Sequence, residues 1–188
     1  MTAALQRWRV PLGFLGAVAL VVLARPRAAT LALGLPVAAA GLALRAAAAG
    51  HIRKNDVLAT TGPYRWCRNP LYLGSSLLGV GLVIAAASWW LAAVALVLLL
   101  GVYLPVIRRE EAFLAGRFGD DFARYRAAVP RLLPRWPAAR TPRAPASFSL
   151  ALYLRHREYQ ALMGFVALAL VLVAKWQFPG FATRLRPW

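Results

Sequence analysis

Five apolar runs, separated by basic and proline-bearing stretches, organise the chain. They are Val10 to Ala24, Ala28 to Leu44 with an alanine-rich continuation to Ala49, about Pro70 to Ala87, about Trp89 to Ile107, and Tyr159 to Phe178. A hydrocarbon core of ~30 Å takes about 20 helical residues at ~1.5 Å each, so each run reads as a spanning helix. The stretch from Asn69 to Ile107 carries no charge and is too long for a single crossing. It must enter the bilayer and return, which sets the polar clusters at its two ends, 61–72 and 108–125, on one side. Ser88, Trp89 and Trp90 mark the turn, since tryptophans favour the interface. The first two helices, separated by little more than Arg25, Pro26 and Arg27, form a tight hairpin, and Pro36 bends the second. Gly74, Gly79 and Gly81 permit close helix contact in the third.

Residues 108–128 have a different character. Phe113, Leu114, Phe118, Phe122 and Tyr125 recur near helical spacing among Arg109, Glu110, Asp120, Asp121, Arg124 and Arg126, the pattern of a helix lying along the interface. Gly116 and Gly119 are candidate breaks in it. Five prolines between 130 and 145 make 129–146 an ordered crossing or stiff linker without regular helix. Ser147 is placed to cap a short helix from Phe148, and Lys175, near the end of the last run, reaches outward. The expected fold is all-α: a polytopic membrane protein of about five transmembrane helices, with an interfacial helix and a cofactor-binding region on the cytoplasmic side. Within a single membrane domain, 1–188, the parts are an N-terminal helical hairpin (1–52), a core (53–135), and a proline-rich linker with a C-terminal helix (136–188).

Composition narrows this picture. The chain of 188 residues is 61% hydrophobic and carries 23 basic against 6 acidic residues, a formal charge of +17. Because the cations flank apolar runs, they suit anionic lipid headgroups, and nucleic acid is a poor explanation. Cys67 is the single cysteine, so no intrachain disulfide forms, and His51 and His156 do not make a zinc cluster. No metal site is expected. The first run follows basic residues as in a signal peptide, but Ala24 is followed at once by Arg25 and Pro26, so it is expected to be retained as a helix. With five crossings, 16 of the 23 basic residues fall on one face, which the positive-inside rule places in the cytoplasm. That gives an inside amino terminus and an outside carboxyl terminus, in the cytoplasmic membrane.

Two separated motifs then carry a resemblance. LATTGPYRWCRNPLYLG at 58–74, and REEAFLAGRFGDDFARYRAAVPRLLP at 109–134, resemble the membrane methyltransferases of the isoprenylcysteine carboxyl methyltransferase and phospholipid methyltransferase group. Gly62, Pro63 and Tyr64, then Arg68, Pro70 and Tyr72, match the family's first motif, with Asn69 where a histidine is usual. Glu110 and Glu111 match its glutamate pair. Phe118, Gly119, Tyr125, Val129, Pro130, Arg131 and Pro134 match the pattern downstream of that pair, and Phe122 replaces a usual tyrosine. The resemblance implies S-adenosylmethionine as cofactor and methyl transfer to a lipid-like or prenylated acceptor. It also implies cofactor contacts from Gly62, Pro63, Tyr64, Arg68, Asn69, Pro70, Tyr72, Glu110, Glu111 and Arg131, with Arg68 and Glu111 as catalytic candidates.

The residues themselves leave alternatives open. A glutamate at headgroup depth needs a partner, which either a nearby arginine or a cofactor amino group or ribose hydroxyl supplies. Asn69 before Pro70 is a good helix cap, while the free backbone donors there, with Arg68, equally suit a ligand carboxylate. Arg131 grips an anion or only anchors at the interface. The expected acceptor is a carboxylate, as in an isoprenylcysteine carboxyl O-methyltransferase, since it is already ionised near neutral pH and histidines are few; the alternative is a phosphatidylethanolamine-type amine, which must first lose a proton. A third reading is a non-catalytic basic membrane scaffold.

Overall fold

The computed structural model describes residues 16–53, 57–140 and 147–178. Most of the first apolar run lies outside this range; residues 16–23 of it are helical. Helices α1 (Ala28–Ala49), α2 (Pro70–Ala86), α3 (Trp89–Leu98), α4 (Leu104–Ala128), α5 (Leu150–Arg155) and α6 (Tyr159–Gln177) come after it.

The expectation of about five transmembrane helices is corrected. Among the described residues, three helices are long and apolar enough to cross a membrane: Ala28–Ala49, Trp89–Ala128 and Tyr159–Gln177. The run at 70–87 yields an apolar helix of only 17 residues. The fourth run and the expected interfacial helix are one continuous element, because a π-helical turn at Leu99–Tyr103 joins α3 to α4 without a break. Charge begins at Arg108, but a change from apolar to charged side chains does not interrupt backbone hydrogen bonding. The break comes later, at Gly119, whose φ of 47° and ψ of −121° leave the helical region. Gly116 stays helical. The placement of the two termini, which counted five crossings, loses its basis with them.

Helices α1 and α2 pack along their whole length through small residues. A Cβ on Gly41 would lie 2.4 Å from the Leu78 nitrogen, one on Gly81 would lie 2.3 Å from the Ala38 nitrogen, and one on Gly34 would lie 2.4 Å from the Gly81 carbonyl oxygen. In lipid such close backbone approach replaces the hydrophobic effect as the source of helix association. Gly74 belongs to the same seam, but Gly79 faces open space and takes no part in it. Leu20, Leu31, Ala38, Leu82, Leu91 and Leu172 gather around the seam as the main core.

Two polar contacts fasten the flanking helices. Arg45 in α1 forms a forked ion pair with the buried Glu158 just before α6, at 3.1 and 2.9 Å, and also donates to Ser75 of α2. Lys175 does not reach outward: its ammonium donates to the Val21 carbonyl at 2.6 Å, at the end of the 16–23 helix. Ser149, not Ser147, caps the short helix α5, accepting from the Leu152 amide. The proline-rich segment is an ordered crossing as far as it is described, through residue 140. Its backbone pairs with the first motif by Arg68 N to Pro130 O (2.8 Å), Arg135 N to Trp66 O (3.0 Å) and Ala139 N to Arg65 O (3.0 Å).

Candidate active site

Because the uncharged hairpin of α2 and α3 returns the chain to its starting side, the first motif and the start of the charged part of α4 meet. The 3₁₀ turn Gly62–Arg65 opens the first motif. Gly62 is required there twice over: its φ is +57°, and a Cβ would lie 2.5 Å from the His51 ring. His51 donates from Nδ1 to the Ala47 carbonyl at 2.7 Å and backs this turn. On α4, Leu114, Phe118, Phe122 and Tyr125 continue the stripe that Glu111 begins, across the break at Gly119, and form a second small core with Leu58, Val129 and Ala139. Their spacing near 3.6 was readable in the sequence; their use as a pocket wall was not.

Glu111 is the hub. Although it is 7% exposed, its carboxylate receives Arg68 Nε and Nη2 and Asn69 Nδ2 on Oε1, at 2.9, 2.9 and 3.2 Å, and Arg131 Nε and Nη2 on Oε2, both at 2.9 Å. Arg68 spends its other terminal nitrogen on the Arg126 and Val129 carbonyls. Asn69 lies at the start of α2 yet its side chain does not cap the helix; the amide donates instead to Glu111 and to the Arg131 carbonyl at 3.1 Å. The cap expectation fails because these two acceptors fix the orientation of the amide and turn it away from the helix end. Glu110, the adjacent residue, is only half-buried and accepts from the Tyr72 hydroxyl at 3.0 Å. Tyr72 also meets the Tyr103 ring edge-on.

A cavity of about 280 Å³ opens between these elements. Tyr64, Arg68, Asn69, Pro70, Tyr72, Glu110 and Glu111 all line it, together with Arg53, apolar residues of the α4 stripe, and Ile52, Val57, Leu58 and Ala59. Gly62 and Pro63 shape the turn but are not in its wall, and Arg131 touches Glu111 from behind it. Tyr125 donates to the Tyr64 carbonyl at 2.7 Å. The Tyr64 hydroxyl is buried and finds no hydrogen-bond partner among the described residues. Burial, followed by the neighbouring Tyr125 and Glu110, pushes this phenol well above its ordinary pKa, so it stays a neutral donor. Among the described residues no group of three or more metal-ligating side chains gathers.

Cys67 is buried beneath the first motif, and desolvation pushes its thiol up to about 11. A thiol with that pKa is a poor nucleophile at neutral pH. We expect the folded protein in detergent to resist iodoacetamide at pH 7.5 and to be alkylated at this position on unfolding. Rapid labelling of the native protein would contradict the burial.

The family model described as phospholipid methyltransferase matches residues 38–121, which contain α2, α3 and both glutamates. Over that stretch the chain is similar to the phospholipid methyltransferases, a similarity that implies S-adenosylmethionine as methyl donor. Two relatives align over a similar length. The cobalt-zinc-cadmium resistance protein CzcN of Cupriavidus metallidurans is 43% identical over 84 residues, covering 44% of this chain and 38% of the relative. The nickel-cobalt-cadmium resistance protein NccN of Alcaligenes xylosoxydans xylosoxydans is 40% identical over 85 residues, with the same shares. The matched stretch thus spans well under half the length of these relatives. No solved structure matches the chain.

The residues present fit this cofactor's chemistry. Its amino-acid end carries a cation and a carboxylate, and its adenosine presents hydroxyl and ring acceptors. The cavity wall offers a carboxylate at Glu110, and an orphaned phenol at Tyr64. The cluster of Arg68, Arg131 and Glu111, with two cations against one anion, leaves a net positive charge beside it.

Proposed function

We propose that the protein is a membrane methyltransferase that uses S-adenosylmethionine to methylate a lipid-like acceptor, a phosphatidylethanolamine-type headgroup amine before a prenylcysteine carboxylate. The order of these acceptors rests on the family description, which speaks for the phospholipid reading rather than for the isoprenylcysteine one. The observation that carries the proposal is the cavity at which both motifs converge, walled by Tyr64, Arg68, Tyr72, Glu110 and Glu111. The cofactor supplies an electrophilic methyl group on a sulfonium. This chain supplies alignment, exclusion of water and fixed charge. Arg68 and Asn69 hold the opening of α2 against Glu111, Tyr64 and Tyr72 offer hydroxyls, and the α4 stripe of Leu114, Phe118 and Phe122 keeps one wall dry. We place the site at the cytoplasmic face of the inner membrane, where the exposed Arg108, Arg109 and Arg117 meet anionic headgroups.

Purified protein in liposomes containing phosphatidylethanolamine, given cofactor labelled on its methyl group, is expected to yield labelled monomethyl headgroups. An amine acceptor must lose a proton before attack, so this rate should rise with pH on the alkaline side, whereas a carboxylate acceptor would show no such rise. A base-labile ester on a prenylcysteine analogue would favour carboxyl methylation instead. Neither product, together with no cofactor binding by folded protein, would leave the non-catalytic scaffold.

A further inference from the structure

The two adjacent glutamates are not equivalent. A carboxylate has about four lone-pair positions for donors. Glu111 already meets five nitrogen contacts, from Arg68, Asn69 and Arg131, all at 2.9–3.2 Å. Its two oxygens are each engaged from a different direction, so a ligand ammonium or hydroxyl could reach it only by displacing a guanidinium that is itself bound elsewhere. Those same contacts tie the first motif, α4 and the segment after α4 into one unit. Glu110 is built differently. One helical position away, it turns toward the cavity, is half-buried, and receives the Tyr72 hydroxyl on Oε2. Among the described residues no donor is found on its other oxygen. Tyr72 is itself steadied by the edge of the Tyr103 ring, 5.8 Å between centroids. That arrangement holds a carboxylate in place and leaves one of its oxygens for an incoming cation.

The charge around the cavity has the same division, with Arg53 a further cation in the wall. The Arg68, Arg131 and Glu111 cluster carries one excess positive charge, and Arg68 is the part of it that joins Glu111 in the wall. Glu110 supplies a negative charge on the adjoining turn of α4. A ligand with an ammonium and a carboxylate on one carbon would satisfy both ends, with the first against Glu110 and the second toward Arg68.

We propose that Glu110, presented by Tyr72, is the ligand-binding acid of this site and receives the cofactor's ammonium group, while Glu111 is a positioning residue that acts through Arg68, Asn69 and Arg131. This rests on the reading of the cavity as an S-adenosylmethionine site. It removes Glu111 from direct contact with the cofactor and gives the pair two separate tasks.

The experiment is carboxylate footprinting of the full chain in mild detergent with a water-soluble carbodiimide and glycinamide, read by peptide mass spectrometry with and without S-adenosylmethionine. Calorimetry on the wild type and on Glu110→Gln runs alongside. The expected result is that Glu110 is modified and the cofactor protects it, that Glu111 is unmodified in both conditions, and that Glu110→Gln binds at least tenfold more weakly with an unchanged melting temperature. Glu111→Gln is expected to melt earlier and to expose Glu110 to modification even with cofactor present, and Glu111→Asp should recover part of both. If the wild type binds cofactor but Glu110 is not protected, or Glu110→Gln binds like the wild type, the division of tasks is wrong and the functional reading stands. If the folded wild type binds no cofactor at calorimetric concentrations, the functional reading fails and the ligand assignment falls with it.

Discussion

Replacing Arg68 with alanine is expected to destabilise the protein by about 3–5 kcal/mol, the range found when one member of a buried ion pair is removed. The guanidinium is 8% exposed on its side chain and joins Glu111 to the Arg126 and Val129 carbonyls. Its loss leaves Glu111 with Arg131 and Asn69 and strips two carbonyl acceptors of their donor. The buried single cysteine offers the readout: a dye that fluoresces on reaction with a thiol reports Cys67 as the chain melts. The double change Arg68→Met with Glu111→Met should cost less than the sum of the single ones, since it removes both charges together. A melting temperature for Arg68→Ala equal to the wild type would mean that this network does not hold the fold.

The second large effect lies at the seam of α1 and α2. Gly81→Leu should destabilise by at least the upper part of the ~1–3 kcal/mol that overpacking costs, because the first carbon alone would lie 2.3 Å from the Ala38 backbone nitrogen. Backbone cannot swing aside as the end of a side chain can, so the helices must separate. Gly79→Ala is the control: it faces open space and should be neutral or stabilising by up to about 1 kcal/mol, the helix-propensity gain. Equal losses at both positions would show that the helix pair is not held by close approach.

These two sites show what could be read in the residues and what could not. The return of the chain from Arg68 to Glu111 was legible as an uncharged stretch too long for one crossing, and the apolar stripe of α4 as a spacing. The number of spanning helices was not. Apolar length alone counted a 17-residue helix as a full crossing and cut Trp89–Ala128 in two where the side chains turn polar, although the backbone runs on through a π turn. Side-chain partners were also out of reach. Asn69 before Pro70 has the pattern of a cap, and only the folded chain shows Glu111 and the Arg131 carbonyl near enough to claim its amide. Gly74, Gly79 and Gly81 look alike as letters; the face each presents to α1 decides which one matters. The pair Arg45–Glu158, separated by more than a hundred residues, has no local signature at all.

The unequal arms of the central hairpin have a mechanical result. From Pro70 to Ala86 the ascending arm measures about 26 Å, and from Trp89 to Glu111 the descending one about 35 Å, at ~1.5 Å per residue. Both are pinned at the same two ends, by the two-residue bend after Ala86 and by the grip of Arg68 on Glu111. The longer arm therefore cannot run straight and parallel beside the shorter one, and the π-helical turn at Leu99–Tyr103 lies within the stretch that has to take up the surplus length.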